Sequence, residues 1–165
     1  MSRAVLSIGA NLGDRLANLR IAATGLADVL VAASPVYETA PWGVTDQPDF
    51  LNAVLIVEDP DADEWTWLHR AKALESRAGR VRDRRWGPRT LDVDIVTVDD
   101  VRSTHPDLLL PHPGTPDRAT VLIPWLAIDP AAHLPGNGQA APLLAALPTD
   151  TKAAVHLRKD LPLIE

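Results

Sequence analysis

Residues 79–95 read GRVRDRRWGPRTLDVDI, and they place a cluster of arginines immediately before a pair of aspartates. Five arginines lie between positions 80 and 89, and the aspartates are Asp92 and Asp94. Guanidinium groups bind phosphate oxygens in pairs, whereas carboxylate oxygens are hard ligands that suit magnesium. A polyphosphate chelated to a divalent cation needs both kinds of group. This stretch therefore predicts a site for such a ligand.

The end of the same stretch predicts a strand. Residues 91–96 alternate apolar and polar side chains over a β-branched run. Side chains two residues apart leave a strand on the same face, so Asp92 and Asp94 are expected to project side by side. One interpretation is a pair of solvated acids on an edge strand. The arginines directly upstream favour metal binding instead, because arginine and metal clamps on transferred phosphates occur together.

Length and composition limit the classes of protein that this chain can be. Its 165 residues predict a single domain over 1–165, and 46% hydrophobic residues exclude a disordered or fibrous chain. The net charge of −6 argues against nucleic-acid binding by bulk electrostatics. There are no cysteines, which leaves histidine and carboxylates as metal ligands. Without a membrane-length apolar run or a secretory leader pattern, we expect no membrane partner and a cytoplasmic location.

The first half of the chain predicts strands at residues 4–9, 31–37 and 50–57. Pro35 would place the second of these at a sheet edge or a bulge. A helix is predicted after the turn at residues 9–14, because apolar side chains then recur at spacings of three and four. Those side chains are Leu16, Leu19, Ala23, Leu26 and Leu30. The glycine-rich turn itself fits a tight turn before a capped helix better than a phosphate loop.

A second helix is predicted to follow the acidic residues 59–64, which favour a helix N-terminus. Its core face would comprise Trp67, Ala71, Leu74 and Ala78. Lys72 and Glu75 lie off that face, where most charged residues are solvated. Gly79 is predicted to end the helix. The arginines then emerge where the helix dipole stabilises cations by ~0.3–1 kcal/mol each, so part of the cluster could be structural.

Phe50 and Asn52 share one face of the third predicted strand. An amide beside an aromatic ring can be surface decoration, or it can read the edge of a flat heterocycle by donating and accepting hydrogen bonds together. The spacing leaves both interpretations open.

The remainder of the chain carries weaker patterns. A loop is expected from His105 to Pro113, and residues 118–128 predict a short helix interrupted at Pro124. A weak helix near 143–147 and a strand at 155–157 complete the expectation, without indicating a function.

The order strand, helix, strand, strand, helix, strand predicts an α+β, ferredoxin-like sandwich. We expect an antiparallel sheet with helices packed on one face, which would leave the opposite face for ligands. Fold alone does not decide function.

Several segments together resemble the 6-hydroxymethyl-7,8-dihydropterin pyrophosphokinase family. The main one is the run of residues 79–95, and four others follow the family in the same order between positions 4 and about 130. They are Ile8-Gly-Ala-Asn-Leu-Gly13, Tyr37-Glu-Thr39, Gln47-Pro-Asp-Phe-Leu-Asn52, and Leu110-Pro-His-Pro113 with Arg118. The resemblance implies transfer of pyrophosphate from ATP to a pterin alcohol, with release of AMP, in folate biosynthesis. The partners would be the small molecules pterin and ATP, and the protein is expected to be a monomer.

The resemblance also implies roles for individual residues. Two Mg²⁺ ions would be held by Asp92 and Asp94, and catalysis would depend on Arg80, Arg89 and Asp94. The ATP side would comprise Lys72, Glu75, Arg80, Arg82, Arg85, Arg89, Ile95, His112 and Arg118. The pterin side would comprise Thr39, Ala40, Trp42, Phe50, Asn52 and Trp86. Trp86 could instead be a core residue, but it lies among arginines rather than leucines, which favours contact with a ligand. The chain has Thr120 where the family has an aromatic residue that stacks on the pterin.

Two other classes share the predicted topology. An RNA-recognition module needs aromatic residues on its central strands, and one Phe and one Tyr do not supply them. A two-metal nucleotidyltransferase or cyclase also pairs carboxylates, but it would require a third acid or a nucleobase pocket.

Overall fold

The structure is a computed structural model that describes residues 2–40, 47–79 and 90–164. The strands of its main sheet are β1 (Ser2–Ala10), β2 (Leu30–Ala33), β3 (Tyr37–Thr39), β4 (Phe50–Asp59), β5 (Asp92–Val98) and β10 (His156–Leu157). This sheet is antiparallel, with the strand order β10-β3-β4-β1-β5 and β2 also pairing with β4. The predicted ferredoxin-like order is therefore confirmed, with β2 and β3 together occupying one strand position beside β4.

Helices α1 (Arg15–Gly25) and α2 (Glu64–Arg77) begin at side-chain caps. The Asp14 carboxylate accepts from the backbone N–H of Ala17, and Asp63 forms a reciprocal capping box with Thr66. The apolar faces of both helices pack on the same side of the sheet, against alternate residues of β1, β4 and β5. As predicted, Trp67, Ala71 and Leu74 are buried there.

The second face of the sheet is divided along its length. At one end Val5, Val54, Ile56 and Val96 form a smaller core with α3 (Ala119–Ile128) and α4 (Ala140–Ala145). The predicted helices on one face are thus α1 and α2, but the expectation that the opposite face is wholly free for ligands needs correction. Among the described residues, the end of this face that α3 and α4 leave uncovered carries the polar residues of β4 and β5.

Three local predictions differ from the structure. Leu30 belongs to β2 rather than to the first helix, because it lies opposite Val57 in the sheet, beside the hydrogen bond from the Glu58 N–H to the Val29 carbonyl at 2.9 Å. The predicted second strand is interrupted at residues 34–36, where Pro35 cannot donate a ladder hydrogen bond. Helix α3 continues through Pro124, since burial of the neighbouring Leu122 and Trp125 outweighs the lost backbone hydrogen bond.

Two small hairpins were not expected from the sequence. Strands β6 (Ser103–His105) and β7 (Leu108–Leu110) replace most of the predicted loop, and β8 (His133–Leu134) pairs with β9 (Gly138–Gln139). A short helix α5 (Thr149–Ala153) precedes β10. Among the helices within the described ranges, none combines the length and apolar character that a membrane span requires.

A buried hydrogen-bond chain fixes the start of β1 to α2. The Trp67 indole N–H donates to Ser2 Oγ at 2.8 Å, and Ser2 Oγ donates to the Ala62 carbonyl at 2.7 Å.

We expect Ser2→Ala to lower the free energy of unfolding by about 1–3 kcal/mol, because both partners lose their hydrogen bond in a buried place. Urea denaturation measures this loss. Ser76→Ala, on the exposed side of α2, is the matched control and should change stability by less than about 0.5 kcal/mol. Equal effects of the two substitutions would contradict the prediction.

Candidate active site

One row of paired residues crosses the open end of the sheet and joins the predicted site residues. Gly9 on β1 pairs with Asn52 on β4 and with Asp92 on β5. Directly paired residues project to the same face, so Asn52 and Asp92 stand on either side of a residue without a side chain. Two strand spacings separate them, which is roughly 10 Å. The two polar groups predicted from distant parts of the sequence therefore belong to one surface.

The acidic half of this surface is built on β5. Asp92 and Asp94 are partly exposed on the open face, while Leu91, Val93 and Ile95 are buried on the other side. This is the alternation that the sequence predicted. The two carboxylates are thus neighbours on the last strand of the main sheet rather than on a loop.

His112 approaches this acidic pair from the segment that follows β7. Its backbone N–H donates to the Val96 carbonyl at 2.9 Å, and its Nε2 lies 3.9 Å from Asp94 Oδ1. The Nδ1 atom is 2.8 Å from the Pro113 carbonyl, which can only accept, so this bond requires the proton on Nδ1. Burial lowers the pKa of His112, and the positive charge of Arg118 lowers it further. With Nδ1 bonded to the Pro113 carbonyl, the imidazole turns Nε2 toward the Asp94 carboxylate.

A cleft of about 230 Å³ opens beside Asp94, between α2, β5 and the β6–β7 hairpin. Its lining combines apolar residues with the charged residues Lys72, Glu75, Asp94 and Asp107. The lining residues include Leu68, Ala71, Val93, Ile95, Leu108, Leu109 and His112. A cleft whose lining combines apolar and charged side chains suits an organic ring attached to a charged tail.

Glu75 corrects the expectation of a solvated acid. It is only 6% exposed, and its Oε2 accepts the backbone N–H of Val93 at 2.9 Å. The bond ties α2 to the segment of β5 between the two aspartates. Lys72, one turn earlier, is exposed as predicted and lies at the rim of the cleft.

The other half of the surface is formed by β3 and β4. Asn52 Nδ2 donates to Thr39 Oγ1 at 2.9 Å, and Phe50 is directly opposite Thr39 in the register. Thr39 is buried, whereas Phe50 and Asn52 are partly exposed. Because Nδ2 is held by Thr39, the amide orientation is fixed by the strand pair. Ala40 is exposed at the end of β3.

Two features of this half were missed by the sequence interpretation. Gly9 lets Asn52 and Phe50 approach the backbone of β1, since a Cβ atom there would lie 3.1 Å from Asn52 Oδ1 and 3.6 Å from the Phe50 ring. Asn11, which is 1% exposed, donates to Gln47 Oε1 at 2.6 Å and to the Pro48 carbonyl at 3.0 Å. The sequence shows only a polar residue directly after the first predicted strand, and its burial depends on contacts with the distant residues Gln47 and Pro48.

The remaining predicted site residues are divided between the described and undescribed parts of the chain. Arg118 is half-buried at the N-terminus of α3, and Thr120 is half-buried in its first turn. The predictions for Trp42, Arg80, Arg82, Arg85, Trp86 and Arg89 fall on residues 41–46 and 80–89, which lie outside the described residues.

The donor set on β5 fits magnesium that is shared with a substrate. Over residues 2–40, 47–79 and 90–164, no three His, Cys, Asp or Glu side chains are grouped to hold a metal ion by themselves. Magnesium is commonly bound by one or two carboxylates, with water and substrate phosphates completing its octahedron. Asp92 and Asp94 supply hard oxygen ligands of this kind. They fit an ion that arrives with a polyphosphate.

Comparison with known proteins finds the family that the sequence resembles. Residues 5–130 match the family model described as 7,8-dihydro-6-hydroxymethylpterin-pyrophosphokinase. The 2-amino-4-hydroxy-6-hydroxymethyldihydropteridine pyrophosphokinase of Mycobacterium tuberculosis is 50% identical over 169 residues, covering 95% of this chain and 90% of the relative. The enzyme of the same name from Pseudomonas aeruginosa is 36% identical over 152 residues, covering 90% and 93%.

Solved structures show the same fold at low identity. The HPPK-DHPS protein of Plasmodium falciparum, crystallised with pteroate, superposes with a TM-score of 0.66 at 14% identity. The match covers 87% of this chain but only 44% of that longer chain. This likeness supports the fold and leaves the assignment of site residues to the geometry described above.

The close approach at Gly9 generates a test. We expect Gly9→Ala to push Asn52 away from Thr39 and to weaken binding of hydroxymethyl-dihydropterin by about 1 kcal/mol, or roughly fivefold, the value of one hydrogen bond. Isothermal titration with the pterin measures the change.

The double substitution Gly9→Ala with Asn52→Ala separates this effect from general damage. If Gly9 acts through Asn52, the double variant binds no more weakly than Asn52→Ala alone. Additive losses, or unchanged binding by Gly9→Ala, would show that the close approach is irrelevant to the ligand.

Proposed function

The chain belongs to the 7,8-dihydro-6-hydroxymethylpterin-pyrophosphokinase family, and we propose which of its residues serve each substrate of the family's reaction. It is an ATP-dependent diphosphokinase of folate biosynthesis. It transfers pyrophosphate from ATP to the hydroxymethyl group of 6-hydroxymethyl-7,8-dihydropterin, which leaves AMP as the second product.

The observation that carries the residue assignment is the row Asn52–Gly9–Asp92 across three adjacent strands. It sets an amide that can read a heterocycle about 10 Å from a carboxylate that can hold a metal. The hydroxymethyl group of the pterin and the β-phosphate of ATP would react in the space between these two side chains. The glycine between them leaves space for the reacting groups.

The pterin is proposed to lie over β3 and β4. With Nδ2 bonded to Thr39, Asn52 keeps its Oδ1 acceptor and a second N–H for the edge of the ring, and Phe50 supplies an aromatic surface beside it. Ala40 stands at the end of the same strand. Trp42 and Trp86 stay proposals from family resemblance, as does the part that they take in enclosing the ring.

ATP is proposed to occupy the cleft beside Asp94. The apolar residues of its lining would contact the adenine ring, and the phosphates would extend toward the carboxylates of β5. We assign Lys72, Glu75, Ile95, His112 and Arg118 to this side, with Glu75 acting through its bond to the β5 backbone. Arg80, Arg82, Arg85 and Arg89 are proposed to neutralise phosphate charge.

Asp92 and Asp94 are proposed to hold two Mg²⁺ ions. Bound magnesium polarises phosphoryl oxygens and neutralises charge that develops during transfer. Asp94 orients its carboxylate from a buried strand, and neutral His112 stands 3.9 Å from it. The number of ions follows the family resemblance.

Catalysis is proposed to rest on positioning and charge rather than on a strong base. In-line attack of the substrate hydroxyl on the β-phosphorus of ATP expels AMP, and the hydroxyl proton leaves to solvent or to a carboxylate. Phosphoryl transfer needs little covalent participation by protein groups. Arg80, Arg89 and Asp94 are proposed as the catalytic residues because they would meet the transferred group. A monomeric state and a cytoplasmic site of action, where ATP is available, complete the proposal.

The activity itself is tested by AMP release that depends on both added hydroxymethyl-dihydropterin and Mg²⁺. Dependence on both supports the proposal. AMP release without the pterin would point to a simple ATP hydrolase instead.

The metal assignment makes a sharper prediction. Asp94→Asn keeps the size of the side chain but removes its charge, so we expect turnover to fall at least roughly a hundredfold while the thermal unfolding midpoint stays near that of the parent. Steady-state kinetics and Mn²⁺ binding measure the two consequences. Asp100→Asn, in the exposed turn after β5, is the control and should leave both unchanged. Near-normal turnover in Asp94→Asn would remove the metal assignment.

A further inference from the structure

The C-terminal segment of the chain returns to the strand that carries Thr39. Strand β10 pairs with β3, with His156 opposite Glu38 and Leu157 opposite Tyr37. The next residue, Arg158, donates its backbone N–H to the Val36 carbonyl at 2.9 Å. Strand β3 is therefore held between β4 on one side and the end of the chain on the other.

An ion network reinforces this pairing at Glu38. The Arg158 guanidinium donates to Glu38 Oε1 at 2.7 Å, and Arg15 donates to Glu38 Oε2 at 2.5 Å. The three side chains are 22–30% exposed. Hydrogen bonds from Arg15 and Arg158 lower the pKa of Glu38, so the carboxylate is charged at neutral pH. A second carboxylate, Asp160, holds the far side of Arg158 at 2.8 Å.

The same network reaches the strand that carries Phe50 and Asn52. Arg15 Nη1 also donates to the Asp49 carbonyl at 3.0 Å. One guanidinium thus joins the residue before Phe50 to the residue before Thr39. These are the two backbone positions from which the proposed pterin pocket extends.

Strand β3 is short enough to need this support. It pairs with β4 through only Tyr37, Glu38 and Thr39, and β2 is separated from it by residues 34–36. Its Thr39 hydroxyl accepts the hydrogen bond that orients the Asn52 amide. A small shift of β3 would therefore change the angle at which Asn52 meets a ring.

We infer that Arg158, Glu38 and Arg15 are positioning residues for the pterin, and that the C-terminal segment thereby contributes to recognition of this substrate. The inference rests on the proposed assignment of Thr39, Phe50 and Asn52 to the pterin. None of the three charged residues lies among the lining residues of the cleft assigned to ATP. Loss of the network should therefore weaken the binding of the pterin and leave the binding of ATP unchanged.

A merely structural role makes a different prediction. Partly exposed ion pairs contribute little to stability. A general loss of stability would weaken the binding of both substrates to the same extent. Coupling through a contiguous network changes affinity at a distant position by ~0.5–2 kcal/mol, which is roughly two- to thirtyfold. The two roles are separated by comparing the two dissociation constants.

The experiment uses the full chain and the variants Arg158→Gln, Glu38→Gln, Arg158→Lys and Asp160→Asn. Isothermal titration gives the dissociation constants for hydroxymethyl-dihydropterin and for a non-hydrolysable MgATP analogue, and kinetics give kcat at saturating pterin.

We expect Arg158→Gln and Glu38→Gln to weaken pterin binding by roughly two- to thirtyfold, with MgATP binding and kcat within about twofold of the parent values. Arg158→Lys restores one charge and should recover part of the loss. Asp160→Asn leaves the Arg158–Glu38 pair in place and should behave as the parent.

A parallel arm with Asn52→Ala tests the pocket itself. If Asn52→Ala weakens pterin binding but Arg158→Gln does not, the proposed pocket stands and the positioning role is overturned. Equal weakening of both ligands by Arg158→Gln would also overturn it in favour of a structural role. If the parent protein fails to bind the pterin, or Asn52→Ala binds it normally, the failure lies with the proposed site instead.

Discussion

The whole site depends on the antiparallel register of β1 between β4 and β5. That register puts Gly9 opposite both Asn52 and Asp92, and backbone hydrogen bonds along nine residues of β1 fix it. A slip by one residue would turn every side chain to the other face. It would bury the aspartates and expose the core residues beside them. The large core under α1 and α2 therefore stabilises the site as well as the fold.

The second face of the sheet is divided between a packed end and the end that carries the proposed site. Helices α3 and α4 cover its apolar end, and the polar end stays open beside the cleft. Two residues at this boundary form hydrogen bonds to the backbone of β5. Glu75 does so from α2, and His112 does so from the segment after β7. Groups that would handle phosphate are thus supported by backbone contacts to one strand. Such support holds charged groups in place before a substrate arrives, which is the main requirement for phosphoryl transfer.

Sequence patterns predicted the structural features that depend on residues close together in the chain. The period of two across residues 91–96 identified the facing of Asp92 and Asp94, and the helical spacing of Trp67, Ala71 and Leu74 identified a core face. Features that depend on distant pairing were missed. The contact between Arg158 and Glu38 spans 120 residues, and no local pattern shows that Glu75, lying off the apolar stripe of α2, finds a buried N–H donor on β5. The residue-level roles of the arginines and of Trp86 in residues 80–89 came from family resemblance, and they stay predictions.

The central claim is that the pterin and the metal-bound triphosphate meet across Gly9. The most direct measurement replaces Mg²⁺ with Mn²⁺ in a complex with an ATP analogue and records the paramagnetic relaxation of the bound pterin protons. The strand spacing predicts a metal-to-pterin distance of roughly 10 Å or less. Relaxation that places the metal about 20 Å or more from the ring, beyond four strand spacings, would contradict the account.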